Sequence, residues 1–156
     1  MRTNHDYQLA SAYRLKGDLD KADEHFKRAV DYLDDAINSA LQVKAYGGMT
    51  IAMALARLGR FEEALALAEQ LTQEIPYEKD SMLWGWLLTY QAMVVGLAGD
   101  QDAAVNQLKT ALEIPTGLGI STWELHYDPD WDFMRDNPRF VELATPANLI
   151  RTETKQ

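Results

Sequence analysis

The chain has 156 residues, of which 25% are charged and 47% hydrophobic, and it contains no cysteine. These proportions exclude wholesale disorder and fit one globular domain, and without cysteine neither a disulfide framework nor a thiolate zinc site can form. The net charge of -9 argues against nucleic acid as a partner, because phosphates attract clustered lysines and arginines.

Targeting and membrane signals are also missing from the sequence. No apolar run approaches the roughly 20 residues that cross a bilayer, so we expect no membrane contact. The polar start MRTNHDYQ has no signal-peptide core. If the chain is complete, these observations predict a cytoplasmic protein.

Three segments of the chain align with one another without a gap. They are LASAYRLKGDLDKADEHFKRAV, IAMALARLGRFEEALALAEQLT and QAMVVGLAGDQDAAVNQLKTAL, which begin at Leu9, Ile51 and Gln91. The aligned positions share small residues: Gly17, Gly59 and Gly99, then Ala10, Ala52 and Ala92, and then Ala22, Ala64 and Ala104. Between them apolar residues recur every three or four positions, the period of an amphipathic helix. Each segment therefore predicts a helix, a glycine turn and a second helix.

The shared residues have a physical role in such a hairpin. A glycine that closes the first helix can take the left-handed conformation without a side-chain penalty. Alanines let the two backbones approach closely, and larger side chains are expected to fill the remaining space: Leu19, Phe26, Phe61 and Leu108. Because one hairpin cannot cover its own apolar face, successive hairpins must stack.

This pattern resembles the tetratricopeptide repeat, a helix-turn-helix unit with preferred small and aromatic positions. The first segment carries most of the resemblance, with Leu9, Ala10, Tyr13, Gly17, Ala22, Phe26 and Ala29. The resemblance implies an all-α superhelix of three units, about 3–44, 45–80 and 81–118. The extra residues predict a lengthened second helix in DYLDDAINSALQVK and a linker in QEIPYEKDSM, with Asp80 or Ser81 capping the next helix. Gly47 and Gly48 are interpreted as a helix entry, and 117–119 as a loop.

The stretch HYDPDWDFMRDNPRF contains two pairs that are typical of helix starts. Asp128-Pro129 and Asn137-Pro138 each place a capping side chain before a proline, which predicts short helices near 129–135 and 138–144. Their apolar side chains would then face inward: Trp131, Phe133, Met134, Phe140 and Leu143. A calcium loop is the alternative, but it lacks glycine at the sixth position and glutamate at the twelfth.

The segment DPDWDFMRDNPRFVEL also resembles the ends of tetratricopeptide arrays in bacterial signalling proteins, where it closes the array. We therefore expect a single domain over 1–144, with a cap at 119–144 and a flexible tail at 145–156. Two packing places compete for the cap: the end of the stack, which we favour, and the concave groove. Arg135 or Arg139 is expected to pair with nearby carboxylates.

Catalytic and metal-binding patterns are missing from the sequence. The three histidines fall in different elements, and His25 is interpreted as part of a solvated helix face. Neither a nucleophile elbow nor a phosphate-binding glycine loop with a following lysine occurs. We therefore predict no catalytic residues, no metal site and no cofactor.

Protein binding is the remaining class. The resemblance implies that the first helix of each unit lines a concave surface and that a protein or peptide partner binds there as on a scaffold. The predicted groove is apolar, and the residues predicted to line it are Tyr7, Arg14, Tyr46, Met49, Met53, Trp86, Tyr90 and Met93. The lysine and asparagine pattern of a carboxylate clamp is absent. Three alternatives stay open. In the first, the aromatic and methionine side chains of this set only pack in the core. In the second, the chain is a regulatory or sensory domain of a larger bacterial signalling protein, and in the third it binds a small molecule. Homo-oligomerisation is also left open.

Overall fold

The protein is all-α in the computed structural model, which describes residues 2–114 and 120–146, and this confirms the predicted fold class. The helices follow in the order α1 (Arg2–Lys16), α2 (Leu19–Val30), α3 (Leu33–Ile37), α4 (Leu41–Arg57), α5 (Phe61–Glu74), α6 (Ser81–Leu97), α7 (Gln101–Glu113), α8 (Thr122–Tyr127), a 3-10 helix (Pro129–Met134) and α9 (Pro138–Ala144). None of the helices in these two ranges is both long and apolar enough to cross a membrane.

The helices pack as three antiparallel hairpins, α1–α2, α4–α5 and α6–α7. Each hairpin stacks on the next, because α2 packs against α4 and α5 packs against α6. The first helices also touch one another, α1 with α4 and α4 with α6, so together they line one face of the stack. This arrangement confirms the predicted helix-turn-helix units.

The three aligned glycines close the first helices in the left-handed conformation. Their φ angles are 83° at Gly17, 75° at Gly59 and 109° at Gly99. In each turn the next amide donates a hydrogen bond five residues back, as Arg60 N does to Leu55 O at 2.9 Å. A Cβ at any of the three would meet no atom within 4 Å, so the requirement for glycine comes from the backbone conformation.

The core follows the aligned alanines. Ala10, Ala52 and Ala92 are fully buried, and so are the side chains of Phe26 and Leu108. The expectation for two other side chains was wrong, because Leu19 is 62% exposed and Phe61 is 39% exposed. Each is the first residue of its helix and projects at the turn instead of between the helices.

The long connection between the first two hairpins also differs from the prediction. No lengthened second helix forms, because α2 ends at Val30 and residues Leu33–Ile37 form the separate helix α3. Helix α4 begins at Leu41, so Gly47 and Gly48 lie inside it and do not form its entry. A Cβ at Gly48 would lie 2.9 Å from Leu71 Cδ1, so this glycine allows α5 to approach α4 closely.

The C-terminal elements confirm the two predicted caps. The side chain of Asp128 accepts from Asp130 N at the start of the 3-10 helix, and that of Asn137 accepts from Arg139 N at the start of α9. Asp80 likewise caps α6 by accepting from Leu83 N. Helix α8 was not predicted. The side chains expected inside are buried or partly buried: Trp131, Met134 and Phe140 fully, Phe133 and Leu143 in part. The predicted loop 117–119 and the tail from 147 onwards lie outside the described residues.

Candidate functional site

The first helices of the three hairpins enclose a concave cavity of about 520 Å³, which we call the groove. Its wall contains aromatic and methionine side chains together with polar groups: Asn4, Tyr7, Gln8, Ser11, Tyr46, Thr50, Met53, Trp86, Tyr90, Met93, Asp128 and Asp130. The groove is thus formed mainly by α1, α4 and α6, with one wall from the C-terminal segment. It is more polar than the sequence predicted.

Six of the eight predicted groove residues line this cavity: Tyr7, Tyr46, Met53, Trp86, Tyr90 and Met93. The other two do not. Met49 is 0% exposed, because its side chain points into the core of the stack. Arg14 lies at the end of the groove, where Nη2 donates to Asp130 Oδ1 at 3.0 Å. That the six lining residues bind a partner stays a prediction.

Three aromatic rings form a continuous cluster on the groove wall. The ring centroids of Tyr46 and Trp86 are 4.6 Å apart, and those of Trp86 and Tyr90 are 4.7 Å apart. All three side chains are partly buried, so each packs on the core and still presents a surface to solvent. Rings of this size offer a large contact area at a small cost in conformational entropy.

Tyr7 lies deeper, at the floor of the groove. Its ring packs edge-on against Phe26, with centroids 5.5 Å apart, and its hydroxyl lies 4.0 Å from Met93 Sδ. Burial raises the pKa of Tyr7 to about 12, and the nearby Asp130 carboxylate acts in the same direction. Tyr7 therefore keeps its proton at neutral pH.

The C-terminal segment closes one end of the groove through Asp130. This carboxylate accepts from Arg14 of α1 and lies 3.4 Å from Nη2 of Arg57 in α4. Arg57 Nη2 also donates to the carbonyl oxygen of Asp130 at 2.7 Å, and its guanidinium lies 5.4 Å from the centroid of Phe133. Two guanidiniums from successive first helices thus hold the 3-10 helix across the stack.

The sequence predicts carboxylate pairing for Arg135 or Arg139 and does not single out Arg57. Arg139 does pair with Asp102 of α7 at 2.9 Å, and Arg135 lies 3.5 Å from Asp132. The signal that could have found the other pairs is that Arg14 and Arg57 both lie in the last turn of a first helix. Nothing in the local sequence, however, connects those turns with Asp130.

The C-terminal segment contacts both of the packing places that were proposed from the sequence, the end of the stack and the groove. Helix α9 packs against α7 and covers the end of the stack, where Val105 and Leu108 are fully buried. The 3-10 helix packs against α6 and borders the groove. The approach is close, because a Cβ at Gly96 would lie 3.0 Å from both Met134 Sδ and Phe133 Cε2. The segment therefore covers the end of the stack and only one end of the groove.

Three aspartates of this segment have different partners. Asp128 caps the 3-10 helix through Oδ1, Asp130 pairs with the two arginines, and Asp132 lies beside Arg135. Across 2–114 and 120–146, no three His, Cys, Asp or Glu side chains are grouped so that they could hold a metal ion.

His25 is not solvated as the sequence suggested. Its Nδ1 lies 3.0 Å from Asp6 Oδ1, and its ring stacks on Tyr13 with centroids 5.4 Å apart. Both side chains of the pair are largely buried between α1 and α2. The pair joins the two helices of the first hairpin and lies outside the set of residues that line the groove.

The family comparison matches a tetratricopeptide repeat to residues 7–32, which cover most of α1 and all of α2. This match supports the resemblance for the first hairpin as a single repeat. No curated protein and no solved structure matches the chain. The likeness of the C-terminal segment to bacterial signalling proteins stays a prediction.

Proposed function

We propose that the chain is a noncatalytic protein-interaction module that binds a peptide segment of its partner in the groove. The tetratricopeptide repeat at residues 7–32 supports the general class, because such repeats generally bind proteins. The observation that carries the finer proposal is the groove itself, a cavity of about 520 Å³ lined by three successive first helices. Two of these helices, α4 and α6, present partly buried aromatic rings to it.

The composition of the groove suits a peptide. Tyrosine and tryptophan are the residues that most often supply binding energy in pockets, and methionine adapts its shape to varied ligands. The cavity is large enough for a few side chains, whereas a globular partner would need a wider surface. An extended or helical peptide segment would place such side chains in the groove and leave the rest of the partner outside.

Selection of peptides from a random display library on the full chain tests this proposal. We expect enriched peptides whose affinity falls at least about tenfold in the variant Trp86→Ala, since a central aromatic contact commonly contributes more than about 1.4 kcal/mol. The matched control is Trp84→Ala. Trp84 lies on the same helix and is also partly buried, but it packs against Tyr77, with centroids 5.6 Å apart, outside the groove.

Equal losses of affinity in Trp84→Ala and Trp86→Ala would contradict the groove as the binding site. A library that yields no enriched peptide would contradict the peptide-binding function. The competing candidate is a small-molecule site, because the groove volume lies within the about 300–1,000 Å³ of such pockets. A thermal-shift screen with metabolites distinguishes the two, since we expect no metabolite to raise the melting temperature.

A further inference from the structure

The groove combines aromatic rings with carboxylates, and none of the described residues that line it is a lysine or an arginine. The carboxylate of Asp130 is neutralised by Arg14 and Arg57. Asp128, which lines the same wall, forms no salt bridge with any described residue, and its Oδ1 accepts only from the Asp130 amide. Arg135 Nη2 donates to the backbone carbonyl oxygen of Asp128 at 3.3 Å. The Asp128 carboxylate itself is the anionic group of this wall that has no salt-bridge partner among the described residues.

A second carboxylate lies on the other side of the same rings. Trp86 and Tyr90 also line a smaller cavity of about 120 Å³ together with Glu124 of α8. Partial burial, and the neighbouring Asp128 carboxylate after it, raise the pKa of Glu124. Burial and then Glu124 also raise the pKa of Tyr90. Two rings of the groove thus lie in a negative field, in which a bound cation would be stabilised.

The rings themselves favour a cation. The faces of tryptophan and tyrosine carry negative charge density and attract an ammonium or guanidinium group. The Trp86 ring lies next to both Tyr46 and Tyr90, so the cluster offers several ring faces and edges within one side-chain length.

We propose that the groove binds a basic side chain of the partner peptide, a lysine or an arginine, beside the rings of Trp86 and Tyr90 and the carboxylate of Asp128, with the Glu124 carboxylate behind the rings adding to the negative field. This assignment rests on the proposed peptide-binding function and adds the chemical class of the bound residue. It also agrees with the net charge of -9, which accelerates the approach of basic partners at low salt.

An acidic peptide is the opposite assignment, and the geometry disfavours it. Arg14 and Arg57 reach the end of the groove and both already donate to Asp130. The Nε of each has no partner among the described residues, but it is buried and does not face the cavity. The Arg57 side chain is only 7% exposed, and neither arginine lines the cavity. A ligand carboxylate would meet Asp128 and Asp130 before it reached either guanidinium.

A titration with small probes tests the charge preference on the full chain. The probes are N-acetyl-arginine methylamide and the uncharged N-acetyl-norleucine methylamide, and the readout is the indole N–H signals in NMR spectra, assigned with Trp→Phe variants. We expect the arginine probe to shift the Trp86 signal and leave the Trp84 signal unchanged. The norleucine probe should give a clearly smaller shift at the same concentration.

Two double variants with equal charge changes then separate the local site from the overall charge. Asp128→Asn with Glu124→Gln should weaken binding of the arginine probe about tenfold. Asparagine still caps a helix, so the 3-10 helix is retained. The control is Asp23→Asn with Glu62→Gln, two exposed carboxylates outside the groove, and its affinity should stay within about twofold of the original chain.

Equal weakening by both double variants, or an equal Trp86 shift with the norleucine probe, would overturn the basic-residue assignment. Library peptides that bind through Trp86 but contain no lysine or arginine would overturn it as well, while the peptide-binding function would stand. If the arginine probe binds and no library peptide does, the peptide-binding function fails and the assignment to a partner residue fails with it.

Discussion

The hairpins α1–α2, α4–α5 and α6–α7 are built from alanines and apolar side chains that meet within each unit, whereas the C-terminal segment 120–146 is also attached through ion pairs with distant helices. Ala10 and Ala22 of the first hairpin are 12 residues apart by their numbers, a separation that the helix-turn-helix repeat dictates. Asp130 is separated from its partners Arg14 and Arg57 by 116 and 73 residues.

The difference shows how the two regions obtain their positions. A hairpin is specified by its own short sequence, because the glycine turn and the spacing of small residues bring its two helices together. The position of the C-terminal segment depends on distant helices, because Asp130 pairs with residues of two first helices that lie side by side. Its ion pairs place Asp130 at one end of the groove. The following variants test this contrast between local and long-range attachment.

The largest effect is expected from Asp130→Asn, which leaves two guanidiniums without their carboxylate. Removal of one partner of a buried pair costs about 3–5 kcal/mol, and because Arg14 and Asp130 retain some solvent contact we expect a loss of about 2–3 kcal/mol in the free energy of unfolding. Denaturation in urea measures it. The control Asp132→Asn should cost less than about 0.5 kcal/mol, because that carboxylate is exposed and 3.5 Å from Arg135. Similar losses would mean that aromatic packing alone holds the segment.

A smaller loss is expected from Gly59→Val in the turn of the second hairpin. A β-branched residue at a φ of 75° is strained, so we expect a loss of about 2 kcal/mol. Gly59→Asn should lose less than about 1 kcal/mol, because asparagine enters the left-handed region more readily. No atom lies within 4 Å of the added Cβ, so the comparison reports the backbone alone. Equal melting temperatures for the two variants would indicate that the turn relaxes.

The smallest effect concerns Tyr7, where the floor of the groove meets the C-terminal segment. Its folded-state pKa of about 12 lies above the ordinary tyrosine pKa of 10.0, so the unfolded chain loses this proton first as pH rises. The contribution to stability is therefore complete below about pH 10 and is lost as pH rises towards the folded-state pKa, by about 1 kcal/mol at pH 11.

The variant Tyr7→Phe has no ionisable hydroxyl and therefore lacks this pH-dependent contribution to stability. Between pH 9 and 11 its free energy of unfolding should consequently fall less steeply than that of the original chain, by about 1 kcal/mol over the interval. Urea denaturation at each pH measures the difference. Parallel pH profiles would show that Tyr7 ionises as readily in the folded chain as in the unfolded one, and would contradict its burial.

By itself the sequence determined the class of the fold and the hairpins. The turns are predictable from Gly17, Gly59 and Gly99, because only glycine adopts their φ angles at no cost. Two helix starts are predictable from Asp128 and Asn137, because their side chains accept hydrogen bonds from amides two or three residues ahead. Six of the eight predicted groove residues also line the cavity, since the helical period places them on one face of three aligned helices.

The tertiary structure alone decided what surrounds that face. Met49 belongs to the core and Arg57 to an ion pair with Asp130, although both lie on the same first helix and share its local pattern. The chain after α2 forms the separate helix α3, which packs against α4. Helical periodicity fixes only the direction of a side chain from its own helix. Whether that direction leads to solvent, to the core or to a carboxylate depends on segments that are distant in the chain and adjacent in the fold.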